Sequence, residues 1–129
     1  MVFRLLIFIA RKPGTSHDDF RNRYENEHVP IIKKKVEEVG AQDLNPYEYK
    51  RTYLHLDKNG IQGEFGPMPG MQVDDMYDIV IDTAYTSKEQ GLSWHKKVEE
   101  DGDIKKDREE FADHDRMKVI VVEQTEGGL

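Results

Sequence analysis

The apolar positions of this chain change period several times, and each change marks an element. Val2 to Ala10 is a short, nearly continuous apolar run, the pattern of a buried strand. Pro13-Gly14 ends it with a turn dipeptide, and Thr15 or Ser16 can cap a following helix whose positive end Asp18 and Asp19 favour. Phe20, Tyr24, His28, Ile31, Ile32 and Val39 then recur at helical spacings, which places them on one stripe about 100° wide, so His28 points inward. Pro30 cannot donate a backbone hydrogen bond and crowds the turn before it. A bend is therefore expected near His28, freeing the Asn26 carbonyl and opening space beside the imidazole.

After Gly40 a polar connection leads to Tyr47 to Leu56, an alternating run in which Tyr47, Tyr49, Arg51, Tyr53 and His55 share one strand face. Residues 57 to 75 are rich in glycine and proline and have no period, the pattern of a long loop. Met76 to Tyr85 reads as a third strand, Ser87 to about Glu100 as a capped helix, Ile104 to Phe111 as a further helical piece and Met117 to Val122 as the last strand. The tail from Gln124 to Leu129 is expected to fray. The order β-α-β-β-α-β is that of an α+β, ferredoxin-like domain, in which helices cover one face of an antiparallel sheet. A sheet that is apolar on both faces needs a second cover, and a homodimer partner supplies it most economically.

The 129 residues fit one domain spanning 1 to 129. A net charge of -7 argues against nucleic-acid and anionic-membrane partners. Lys33-Lys34-Lys35, answered by Glu37-Glu38, reads as a solvated helix face. The absence of cysteine removes disulfides, thiolate metal sites and a thiol nucleophile, which fits a cytoplasmic protein. The apolar start is too short to span a membrane, and Arg11-Lys12-Pro13 stands where a signal cleavage site would lie.

No phosphate-binding loop is present, and the five histidines lack metal-ligand spacing, so no metal is expected. An inward histidine is either a satisfied core residue or an acid/base group lining a pocket. Asp113, in the cluster Asp113-His114-Asp115-Arg116, is either a turn residue bonded to backbone amides or an orienter of an imidazole. Trp94 and the strand tyrosines are core or interface packing, or the walls of a pocket for a planar aromatic ligand.

Arg11-Lys12-Pro13-Gly14-x-Ser16-x-x-Asp19-Phe20-x-x-x-Tyr24-x-x-x-His28-x-Pro30 resembles the signature of EthD-domain proteins. Asp107-x-x-x-Phe111-Ala112-Asp113-x-x-Arg116 is similar to their fungal, tpcK-like branch of polyketide decarboxylases and dehydratases. The resemblance implies a dimeric α+β barrel with no organic cofactor that decarboxylates, dehydrates or cyclises an aromatic polyketide-type intermediate. It implies His28 and Asp113 as catalytic residues, with Tyr24, Tyr49, Tyr53, Trp94, His95 and Phe111 expected at the substrate. The alternatives are a cofactor-free monooxygenase of anthrone-like phenols and a non-catalytic small-molecule-binding protein.

Overall fold

The structure is a computed structural model that describes residues 2–54, 77–125 and 127–128. His55, the loop expected at 57 to 75, and Met76 lie outside the described residues, as do 126 and 129 of the tail. The first strand, β1, is Phe3–Ile9, and its burial alternates because Leu5, Ile7 and Ile9 face the helices. Gly14, at φ +88°, makes the turn into the first helix, a backbone conformation that residues with a Cβ rarely adopt.

That helix is one rod in three parts: α1 (His17–Arg23), a π-helical turn (Tyr24–His28) and α2 (Val29–Glu38). The Ser16 side chain caps it by accepting from Asp19 N–H at 3.1 Å. Where a bend was expected, the chain inserts the π-turn instead. Val29 N–H reaches back to the Tyr24 carbonyl, a five-residue span, and Pro30 follows in the first turn of α2. Pro30 has no N–H to offer the turn before it, and the wider π-turn absorbs that loss without ending the helix. Phe20, Tyr24, His28, Ile32 and Val36 form the buried stripe. Val39, expected on it, is 42% exposed, because it caps the helix at φ −93°, ψ 1° and has left the helical phase.

A 3-10 turn (Gln42–Leu44) leads to β2 (Glu48–Tyr53), then β3 is Ile79–Tyr85. The second helical arm repeats the first: Ser87 caps α3 (Lys88–Trp94), and a second π-turn (His95–Glu99) follows. The helical piece α4 is Gly102–Glu109, starting two residues before the expected Ile104 because Asp101 accepts from the N–H groups of Asp103 and Ile104. The last strand, β4, is Lys118–Val122.

The strands form one antiparallel sheet in the order β2-β3-β1-β4, the ferredoxin-like arrangement. Leu5 and Ile7 pair with Thr83 and Ile81, and all four lie buried on the helix side. Two apolar clusters fill that layer. One centres on Ile32, Val36, Tyr85, Trp94 and Val98, the other on Ile7, Phe20, Tyr24, Ile81 and Phe111. The histidine-bearing turn sits against the second. Among the described residues, no helix is long and apolar enough to cross a membrane.

Candidate functional site

His28 closes the first π-turn with none of its surface exposed. Its ring packs on Tyr24 at 5.0 Å and edge-on against Phe111 at 5.4 Å, so two aromatic faces fix its plane. Nδ1 lies 2.8 Å from Oδ2 of Asp107 on α4. Asp107 is anchored in turn by Arg23, whose Nη2 donates to Oδ1 at 3.0 Å and to Glu110 at 2.6 Å.

Burial works to raise the Asp107 pKa, but its bonds to His28 and Arg23 outweigh this and hold it below the ordinary carboxylate value. An ionised carboxylate only accepts hydrogen bonds, so Nδ1 carries the proton and Nε2 keeps a free lone pair. Burial also lowers the His28 pKa below its ordinary value. The bond to Asp107 opposes that shift and the nearby Arg108 charge reinforces it. The contact is therefore a hydrogen bond from a neutral imidazole to a carboxylate. Nε2 is enclosed and has no hydrogen-bond partner among the described residues, so the ring is tethered at one nitrogen and ready to accept a proton at the other.

The Tyr24 hydroxyl lies 2.9 Å from that of Tyr49 on β2. Burial pushes both phenols up, and Glu99 adds to each shift, so both stay protonated. One O–H bonds the pair, which leaves the other hydrogen available to a ligand. Tyr49 also lines an open cleft of about 400 Å³ between α2, the 3-10 turn and β2, together with Val29, Ile32, Arg51 and Trp94. Volumes of this order suit small organic ligands. The hydroxyl pair thus connects the cleft to the ring stacked on His28.

The site residues expected from the sequence separate into groups. Tyr24 and Phe111 hold the His28 ring; Tyr49 and Trp94 face the cleft, where Trp94 Nε1 donates to Asn45 at 2.9 Å. Tyr53 donates to Glu25 at 2.5 Å, in a cluster that Arg51 completes with two bonds to the same carboxylate. His95 begins the second π-turn, half-buried, with its Nδ1 enclosed and unpartnered among the described residues. The carboxylate bonded to His28 is Asp107 rather than Asp113. Asp113 instead begins the 3-10 turn His114–Arg116, where its N–H donates to the Ala10 carbonyl at 2.9 Å. Asp107 stands at the head of the second sequence motif, but nothing in the spacing of α4 says that its side chain crosses to the first helix. Among the described residues, no group of three His, Asp or Glu side chains gathers as metal ligands would.

These features define a small ferredoxin-like α+β domain with a buried, carboxylate-tethered histidine. The EthD domain matches residues 12 to 115, and the chain belongs to the EthD family. The match distinguishes no branch within that family. The fold is similar to that of an ethyl tert-butyl ether d (EthD) family protein from Bacillus halodurans. The TM-score is 0.58 and the identity 16%, over 97% of this chain and 100% of the other. An Arabidopsis thaliana protein is similar at TM-score 0.51 and 16% identity, covering 98% and 99% of the two chains. A Bacteroides fragilis protein described as dimeric, of unknown function and ferredoxin-like fold, is similar at TM-score 0.51 and 7% identity, over 95% and 96%. No functionally curated protein matches the chain.

Proposed function

We propose that the protein is a cofactor-independent lyase or cyclase in which Nε2 of His28 moves a proton on a hydroxylated, ketone-bearing aromatic of the polyketide type. The observation that carries this reading is the pairing of a carboxylate-bound Nδ1 with an enclosed Nε2 that has no partner among the described residues. A neutral histidine of this tautomer starts as a base. For dehydration, Nε2 takes the proton on the carbon next to a ketone, and the enolate pair forms a double bond as the β-hydroxyl leaves. The imidazolium then returns the proton to that hydroxyl, and water departs. For ring closure, the same enolate carbon attacks a second carbonyl, whose oxygen takes the proton back. Decarboxylation fits less well, because loss of CO2 leaves an enolate carbon that must then be protonated, and Nε2 starts without a proton to give. The free hydrogen of the Tyr24–Tyr49 pair would stabilise the enolate oxygen. The apolar cleft beside Tyr49 and Trp94 suits a planar ring system.

We also infer a homodimer formed through the sheet face opposite the helices. Leu6 and Phe8 lie there beside Val80 and Ile120, in register and incompletely buried. Packing two such faces together would give the dimeric α+β barrel that the EthD resemblance implies.

The activity is tested by mass spectrometry of β-hydroxy ketone, β-keto acid and anthrone substrates incubated under nitrogen with wild-type protein and a folded His28→Gln variant. The reading predicts loss of water, or an isomer of unchanged mass, with wild type. The variant should be slower by about 10²–10⁴-fold. Equal turnover by the variant would contradict it, and product formed only in air with a gain of oxygen would move the assignment to a monooxygenase.

A further inference from the structure

Arg108, which follows Asp107 on α4, and its partner Glu99 are buried charged side chains without a part in the chemistry above. Glu99 is 4% exposed and Arg108 2%. Arg108 Nη2 donates to Glu99 Oε2 at 2.7 Å and to the Glu99 backbone carbonyl at 3.3 Å, while Nη1 lies 3.3 Å from Met117 Sδ. Glu99 Oε1 is enclosed and has no partner among the described residues. A pair kept only for structure is expected to satisfy both carboxylate oxygens, because an unmatched buried acceptor is costly.

The placement of Glu99 repeats that of His28. Each is the last residue of a π-turn, and each follows its capping serine by the same stretch of chain, Ser16 to His28 and Ser87 to Glu99. Pro30 accounts for the first π-turn, whereas no proline follows the second. Such turns recur at functional sites because they aim a side chain that a regular helix would turn away. Adjacent residues of α4 hold the two groups: Asp107 binds His28, and Arg108 binds Glu99.

We propose that Glu99, held by Arg108, is a positioning residue of the His28 site, a second charged pole that sets how tightly His28 holds its proton. This rests on the reading of His28 as the proton-transfer group, yet its test needs no turnover. His28 is bonded to Asp107 of α4, which Arg23 also holds, and packs on Tyr24, whose hydroxyl meets that of Tyr49, while the Arg108–Glu99 pair stands one residue along α4 from Asp107 and acts on the ring through its charge. Arg108 disfavours the imidazolium and Glu99 favours it. Glu99 also bears on both phenols. Its carboxylate thus adds to the larger effect of the Asp107 bond in favouring the imidazolium against burial and Arg108.

The test is an NMR titration that follows the His28 ring nitrogens and the Glu99 carboxyl carbon. In wild type, the Glu99 carboxyl signal is expected to inflect at the His28 midpoint, because a proton arriving on the ring changes the field at a carboxylate that acts on that ring. In Glu99→Gln, the His28 midpoint is expected to fall by about half a pH unit or more. The double variant Glu99→Gln/Arg108→Met should bring the midpoint back above that of the single variant, and it replaces both charges if the single variant does not fold. A structural pair would change stability and leave the midpoint in place. No Glu99 inflection in wild type, with an unmoved midpoint in whichever variants fold, would overturn the proposal.

Discussion

Burial lowers the proton affinity of His28 more than its bond to Asp107 raises it, and this makes stability depend on pH. Unfolded, the imidazole takes up a proton near its ordinary value of 6.5, while the folded site resists it. The contribution to stability is therefore whole above that value and declines as the pH falls below it, until the folded group also protonates. Urea unfolding between about pH 7 and pH 5 should show a falling midpoint, with a smaller fall in His28→Gln. Asp107 adds a separate loss at lower pH, because its folded value lies below the ordinary 3.8. Asp107→Asn is expected to reduce turnover by about 10²–10⁴-fold, since an amide that donates to Nδ1 would move the ring proton to Nε2 and remove the base. Steady-state kinetics with circular dichroism as a folding control checks this. The inward direction of His28 was legible from the spacing of Phe20, Tyr24 and His28 alone. Its carboxylate partner was not, because Asp107 reaches it across a tertiary contact that no local period encodes.

At the scale of elements, the sequence carried the strands, both serine caps and the position of the irregularity before Pro30. It did not carry the form of that irregularity. A missing donor can be met by a bend or by a widened turn, and the choice depends on the packing of Tyr24 and His28 against Phe111. The second π-turn had no proline to announce it. Close packing of α3 on the sheet depends on Gly91, where an added Cβ would stand 2.5 Å from the Phe3 ring and 2.9 Å from that of Tyr85. Tyr85 is fully buried and Phe3 packs against it, so Gly91→Ala should destabilise the fold by about 1–3 kcal/mol. A lowered thermal midpoint would record this.

Across the whole molecule, the strand order and helix placement followed from the β-α-β-β-α-β pattern, because uncrossed connections and an antiparallel sheet leave few arrangements. The uncovered sheet face was legible too, since Leu6 and Phe8 alternate with the buried Leu5, Ile7 and Ile9. Ile120, opposite Leu6 on β4, remains 44% exposed in the single chain. If two copies bury this face, Ile120→Asp should shift the protein from dimer to monomer in sedimentation velocity, because an unpaired charge would be forced into an apolar contact. A wild type that sediments as a monomer would contradict the dimer.

The proposed chemistry turns on one ring, and the ¹⁵N shifts of His28 at neutral pH report its state without a substrate. The structure predicts a neutral imidazole with a protonated Nδ1 and a pyridine-like Nε2. A charged imidazolium, or the opposite tautomer, would contradict His28 as a resident base.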